Sequence, residues 1–319
     1  MRKEAKVEKH ATLAGIQGYH HRDDVFGGRE SYAFQGFKGN WYLNSDRKIA
    51  LDDHYRRVDG QPLQGYGLEI ETECNGVRNS RVLAEVYDKI IFPCFKFGDV
   101  QFKMQEDGSL GGESSAEVIT QIMTKSRIRN DYAAYKLMFN TYFKAFRIKA
   151  DSYETSCGMH VNVSNGCFGK TVEAQETAIR KLYYIINKHY ELCTALFYRC
   201  PSRTNWCGQM DYSVAKTMNL YQMDSSHGNC FNGSHYAAGR IEIRLVGGQK
   251  DFGCFRNTME SVFHLVERVR TISWTDCDNI AKIFQGCNQY VYDRLATRCN
   301  LSAETLEAIR ATVVTEELL

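Results

Sequence analysis

The sequence predicts an α+β fold in which helices cover one side of a largely antiparallel sheet. Two observations carry this expectation. Several short segments alternate apolar and polar residues with period two, and the longer segments between them repeat apolar residues at i, i+3 and i+4. Each strand also keeps one polar face, which suits a sheet packed on helices on one side and open on the other. With 319 residues, 43% of them hydrophobic, the chain can bury a proper core, and a disordered chain is excluded.

Taken in order, residues 1–64 are polar, aromatic and rich in Gly, Asp and Arg. Their weak periodicity predicts an N-terminal extension that is irregular or a partly ordered arm. GLEIETE follows, with Leu68 and Ile70 on its apolar side and Glu69, Glu71 and Glu73 on the other. FGDVQFKMQEDGSL, residues 97–110, reads as a strand running into an Asp-Gly turn. With SSAEVITQI it predicts a hairpin over 97–124, in which Ala116, Val118 and Ile122 oppose Glu117. Tyr132, Tyr135, Phe139, Tyr142, Phe143 and Phe146 then form a helical stripe. CGMHVNVS sets Met159, Val161 and Val163 against His160, Asn162 and Ser164. A second stripe runs from Ile179 through Leu182, Tyr183, Ile186, Tyr190 and Cys193 to Phe197. GRIEIRLV sets Ile241, Ile243 and Leu245 against Arg240, Glu242 and Arg244, and a third stripe runs from Phe255 to Val269. Segments 277–298 and 302–317 predict a helical tail. The expected organisation is an extension over 1–64, a main domain over 65–275 and a packed tail over 276–319.

The 40 basic and 38 acidic residues are interspersed and leave a net charge of +2, so no global field points to nucleic acid or to an anionic membrane. The first residues, MRKEAKVEKH, lead into charged and Gly-rich sequence, and no run of about eighteen apolar residues occurs. A soluble, cytoplasmic protein is expected. The twelve cysteines show no CxxC, and no CxxH pair gives them the spacing of a zinc site, which favours reduced thiols over a zinc site or a disulfide framework. Its glycine pairs complete neither a P-loop nor a GxGxxG turn.

The polar strand faces carry the chemistry. Residues two apart on a strand lie about 7 Å apart, so adjacent glutamates of GLEIETE repel by about 2 kcal/mol at an effective dielectric near 20. A solvated face would screen that repulsion, whereas an enclosed face needs cations. Glu117, His160 and Glu242 take the same kind of position on three other strands. Carboxylates with one imidazole and no thiolate suit Mg²⁺ or Mn²⁺ better than Zn²⁺. Arg240 and Arg244 supply the bidentate donors that a phosphate chain needs, so the set reads as a nucleoside triphosphate site. Cys157 precedes His160 by three residues and points to the opposite strand face, which disfavours a Cys-His nucleophile pair. The polar segment 200–236 reads as recognition loops, with Arg203, Lys216 and His235 as candidates to meet a substrate carboxylate or phosphate.

GLEIETE, EDGSL followed by SSAEVIT, CGMHVNVS and GRIEIRLVGG, in that order, resemble the motifs of the amidoligase family, which is related to glutamate-cysteine ligase and glutamine synthetase. The resemblance spans about residues 65–275. It implies that the sheet curves into a funnel holding ATP and Mg²⁺ on its concave face, and that the chain ligates a carboxylate to an amine through an acyl phosphate. It further implies Glu69, Glu71, Glu117, Glu242 and His160 as metal ligands; Glu73, on the same strand face, is expected to reach a metal through water. Arg244, Arg240, His160 and Asn162 would serve the phosphates and the transferred group. Asn162 departs from the family, which has a second histidine there, and Thr120-Gln121 replaces a proline-containing turn. The substrates would be small molecules or peptides bearing a carboxylate and an amine. Two other readings stay open at this stage: a nucleotide- or peptide-binding module without catalysis, and a metal-dependent phosphodiesterase or nuclease.

Overall fold

The structure is a computed structural model and describes residues 19–23, 30–34, 41–43, 45, 47–50, 57–58, 61–74, 83, 85–106, 110, 114–223 and 228–315. Fourteen strands occur among them. They are β1 (Tyr19–Asp23), β2 (Glu30–Phe34), β3 (Trp41–Leu43), β4 (Lys48–Ala50), β5 (Arg57–Val58), β6 (Gln61–Pro62) and β7 (Tyr66–Cys74); then β8 (Phe102–Glu106), β9 (Ser114–Thr120), β10 (Ile122–Met123), β11 (Ile148–Lys149), β12 (Met159–Ser164), β13 (Phe231–Asn232) and β14 (Arg240–Ile243). The chain divides into two compact units. Unit 1 comprises Met1–Asp53, Tyr66–Met159 and Gly248–Phe252, and unit 2 comprises His54–Gly65, His160–Gly247 and Gly253–Leu319.

Unit 1 holds a sheet in the order β1-β2-β8-β9-β7-β10-β3-β4, with β11 against the far end of β7. Its pairings are antiparallel except for β10 with β3, so the expected α+β class with a largely antiparallel sheet is what is found. Residues 1–64, read from sequence as an irregular extension or a partly ordered arm, contribute β1 to β6 among their described positions. The hairpin expected over 97–124 is the β8/β9 pair, in register from Phe102↔Thr120 to Glu106↔Ala116. Its strand begins at Phe102, because Gly98–Gln101 forms a helical turn instead. Residues 107–109, which carry the Asp-Gly of the expected turn, lie outside the described residues.

Period two fixes which face is covered. Along β7, Leu68, Ile70, Thr72 and Cys74 are buried, while Glu69, Glu71 and Glu73 are partly exposed. On the buried side, Tyr87 donates its hydroxyl to Thr72, and Thr72 donates to the Ala116 carbonyl, so both hydroxyl protons are used. Phe102 stacks on Phe92 at 4.5 Å and meets Phe95 edge-on at 4.7 Å, and Phe95 in turn meets Tyr135. The helical run α1 (Lys125–Asn130), α2 (Tyr132–Leu137), a π-turn at Met138–Tyr142 and α3 (Phe143–Phe146) supplies Tyr135, Phe139, Phe143 and Phe146 to this layer. Tyr142, expected in the same stripe, is only half-buried. The π-turn adds a residue to the local repeat and rotates that position off the buried stripe.

Unit 2 is built on a smaller antiparallel set, β12-β14-β13, with Val161↔Ile243 and Phe231↔Ile243 in register, and a separate β5/β6 pair. Its helices are α4 (Val172–Lys188), α5 (Tyr190–Leu196), α6 (Phe252–Arg268), α7 (Ile280–Ile283), α8 (Gln289–Arg298) and α9 (Ala303–Arg310). Thr171 caps α4 by accepting from the Ala174 amide, and the stripe on α4 buries Ile179, Leu182, Tyr183 and Ile186. The last helices are tied to α6: His264 Nε2 bonds the Ile283 carbonyl and Arg294 donates to the Cys254 carbonyl. Gly247 and Gly248 follow β14 where backbone passes backbone. A Cβ at Gly247 would lie 2.2 Å from the Tyr198 carbonyl oxygen, and one at Gly248 would lie 2.1 Å from that of Ala150. All twelve cysteines are free, and eleven of them are buried. Among the described residues, no helix is long and apolar enough to cross a membrane.

Candidate functional site

Unit 1 presents the glutamate face expected from the sequence. Glu71 stands opposite Glu117 in the β7/β9 register and Glu69 opposite Ile119, so all four side chains share one sheet face. Glu69 and Glu117 are diagonal neighbours, and one carboxylate oxygen of each lies within 4.8 Å of the other. Glu71 is anchored: its Oε2 accepts from the Gly158 amide, and its own amide donates to the Gly158 carbonyl at 3.2 Å. Ser156 donates its hydroxyl to Glu73 Oε1 at 2.9 Å. At the edge of this row, Thr120 and Gln121 break β9 from β10. Thr120 Oγ1 accepts from the Leu68 amide, and Gln121 donates its amide to the Gln101 carbonyl. A hydroxyl and a backbone bond therefore shape this turn.

On two paired strands, Glu69 and Glu117 bring carboxylate oxygens together. That chemistry fits a hard divalent cation, which takes carboxylates at about 2.0–2.6 Å and tolerates several of them at once. Without a cation, directly opposed like charges destabilise a strand pair. One residue of this face was missed. Lys103 of β8 stands opposite Ile119, in the same cross-strand row as Glu69. The period-two pattern of FKMQE, with Phe102 and Met104 buried, contains the signal.

Unit 2 brings His160, Glu242 and Arg244 together. Glu242 Oε1 accepts from Arg244 Nη1 at 2.8 Å and lies 3.3 Å from His160 Nδ1. Oε2 accepts from Asn232 Nδ2 at 3.0 Å. Asn162 faces Glu242 across the β12/β14 register, and Asn232 faces it across β13/β14. The Nε atoms of Arg240 and Arg244 are buried and have no hydrogen-bond partner among the described residues, so each can donate to an anion. Asn232 was not singled out from sequence, because it lies in a two-residue strand inside the polar stretch 200–236. The period-two reading also expects a solvated side on β12, whereas His160 and Ser164 are buried along with the valines.

Of the loop candidates, Lys216 is exposed and sits over the Trp274 ring at 5.5 Å, and the Arg203 carbonyl accepts from Arg199 Nε. His235 begins a turn in which its carbonyl accepts the Ala238 and Arg240 amides. A cavity of about 310 Å³ in unit 2, lined by Phe168, Thr171, Lys181, Val269 and Arg270 among others, contains none of the residues singled out above. Comparison of the chain with protein-family models and with curated proteins finds no match.

Proposed function

We propose that the chain is an ATP- and Mg²⁺-dependent carboxylate-amine ligase that forms an amide or isopeptide bond through an acyl phosphate. The observation that carries the reading is the approach of the Glu69 and Glu117 oxygens to within 4.8 Å, on a face where Glu71 also stands opposite Glu117. Glu69, Glu71 and Glu117 are the residues that would hold the metal. A bound divalent cation supplies charge neutralisation for the transferring phosphoryl group. The buried Nε donors of Arg240 and Arg244 support a role in binding phosphate oxygens through charge-assisted hydrogen bonds. Glu71, tied to the Gly158 amide, keeps its carboxylate fixed, so little reorganisation is needed when the substrates arrive. The substrate carboxylate takes the γ-phosphoryl group and the amine then displaces phosphate. The protein thus contributes positioning and electrostatics, with no covalent link to itself.

The test is release of ADP and phosphate from ATP with Mg²⁺, using pooled amino acids as carboxylate and amine donors. Substrate-stimulated release that falls at least about a hundredfold in Glu69→Gln, with the fold intact by circular dichroism, supports the ligase reading. Mg²⁺-dependent ATP binding without turnover under any donor supply replaces it with a binding module. The absence of ATP binding overturns it and turns the search to cleavage of nucleic acid.

A further inference from the structure

Glu242 occupies a crowded position. Its side chain is 6% exposed, and both carboxylate oxygens already face donors from the protein itself: Arg244 and His160 at Oε1, and Asn232 at Oε2. The Asn232 amide is locked in that orientation, because its Oδ1 accepts the Ser234 amide at 2.9 Å and so turns Nδ2 towards Glu242. We infer that Glu242 is a positioning residue, which fixes Arg244 and His160 for an anionic phosphate chain and does not itself bind the metal. The inference rests on the ligase reading only in taking a phosphate chain as the anion.

Glu242 accepts from a guanidinium at 2.8 Å, so a divalent cation on the same oxygen would sit beside a fixed positive charge. On the other oxygen it would have to displace the amide of a residue that is 3% exposed and held by its own backbone contact. The bond to Nη1 also sets the plane of the Arg244 guanidinium, and the buried Nε of that plane is left to donate elsewhere. Arg240, four residues before Arg244, offers a second buried Nε. His160 presents Nδ1 to the carboxylate, which orients the ring and leaves Nε2 as the nitrogen turned away from it. A glutamate is required at this position. Glutamine would have to turn its NH₂ either on Arg244 and His160 or on the locked Asn232 amide, and donor would then face donor.

The experiment measures two affinities on the purified full chain: Mn²⁺ by the loss of its free-ion electron spin resonance signal, and tripolyphosphate by calorimetry in metal-free buffer. The expected result is that Glu242→Gln leaves the Mn²⁺ affinity within about twofold while Glu69→Gln weakens it more than about tenfold. Glu242→Gln should weaken tripolyphosphate about tenfold, and should have no further effect in an Arg244→Met background, because it acts through that arginine. Loss of Mn²⁺ binding in Glu242→Gln comparable to that in Glu69→Gln overturns the inference and leaves the ligase reading standing. Additive effects of Glu242→Gln and Arg244→Met on tripolyphosphate overturn it too. Wild-type protein that binds tripolyphosphate but no Mn²⁺ defeats the ligase reading alone, and one that binds neither defeats both. Should Glu242→Gln fail to fold, Asn232→Ala serves instead. It frees only Oε2 and should weaken tripolyphosphate about threefold with Mn²⁺ binding unchanged; a loss of Mn²⁺ binding there overturns the inference.

Discussion

The glutamate face of unit 1 and the Glu242 group of unit 2 are both carboxylates on antiparallel strands, yet they are built on opposite principles. In unit 1 a carboxylate stands opposite a carboxylate, Glu71 against Glu117, and Glu69 approaches Glu117 diagonally. In unit 2 a single carboxylate stands opposite two amides, Asn162 and Asn232, with a guanidinium and an imidazole on one oxygen. The first arrangement gathers like charge and gains from a cation. The second neutralises its charge internally and gains nothing from one. The difference shows that a Glu on a polar strand face has no fixed chemistry: the residues opposite it decide whether it awaits a ligand or supports a neighbour.

Stability separates the two designs, and the largest effect belongs to unit 2. Arg244→Met leaves the Glu242 carboxylate, 6% exposed, without its ionic partner, and should cost about 3 kcal/mol in urea unfolding. Asn232→Leu removes one neutral donor from the same carboxylate and should cost about 2 kcal/mol, the penalty for a buried acceptor left unsatisfied. If both variants unfold at the wild-type midpoint, the internal neutralisation of Glu242 is not what holds this group together.

In unit 1 the sign reverses. Glu117→Gln removes a charge placed directly opposite Glu71 and should raise the stability of the metal-free protein by about 0.5–1 kcal/mol. With millimolar Mg²⁺ the gain should vanish or change sign, because the wild-type face then has its cation and the variant has lost a ligand. A gain that persists unchanged in Mg²⁺ would mean that the face is a solvated surface with no claim on a metal.

How far each region could be read from sequence follows from what lies beyond its strands. The β7 face was legible because one side packs on aromatic residues and the other does not, so Leu68 and Ile70 alternate cleanly with Glu69 and Glu71, and the burial pattern repeats the sequence pattern. The same rule half fails on β12, where His160 and Ser164 are buried despite alternating with valines. A strand enclosed on both sides no longer reports its faces through polarity. Asn232 was invisible for another reason. A two-residue strand has no period to read, and its importance arises from a cross-strand register that joins positions ten residues apart through an intervening turn. The strands of the first 64 residues escaped because pairing at the edge of a sheet is satisfied by backbone bonds that do not depend on alternating side chains. Tyr142 shows the converse, a correct helical stripe shifted at one position by a π-turn that periodicity cannot anticipate.

A carboxylate that belongs to neither group provides the control. Burial pushes the Asp88 carboxyl from its ordinary 3.8 up to about 6, with Glu85 adding to the rise and Lys89 opposing it. Because the folded-state value is the higher one, the protonated side chain favours the folded protein. That stability is fully present below about pH 4 and is lost as pH rises through about 6. Asp88→Asn should therefore match wild type near pH 4 and exceed it at pH 7.5. The side chain is only half-buried, so solvent screening cuts the expected gain to about 1 kcal/mol or less. The decisive contrast is with Glu117→Gln: the Asp88→Asn gain should follow pH and ignore Mg²⁺, whereas the Glu117→Gln gain should respond to Mg²⁺. Thermal melts over pH 4–8 with and without Mg²⁺ distinguish a carboxylate destabilised by burial from one destabilised by its carboxylate neighbours. If the two variants respond alike to Mg²⁺, the glutamate face has no special affinity for the cation.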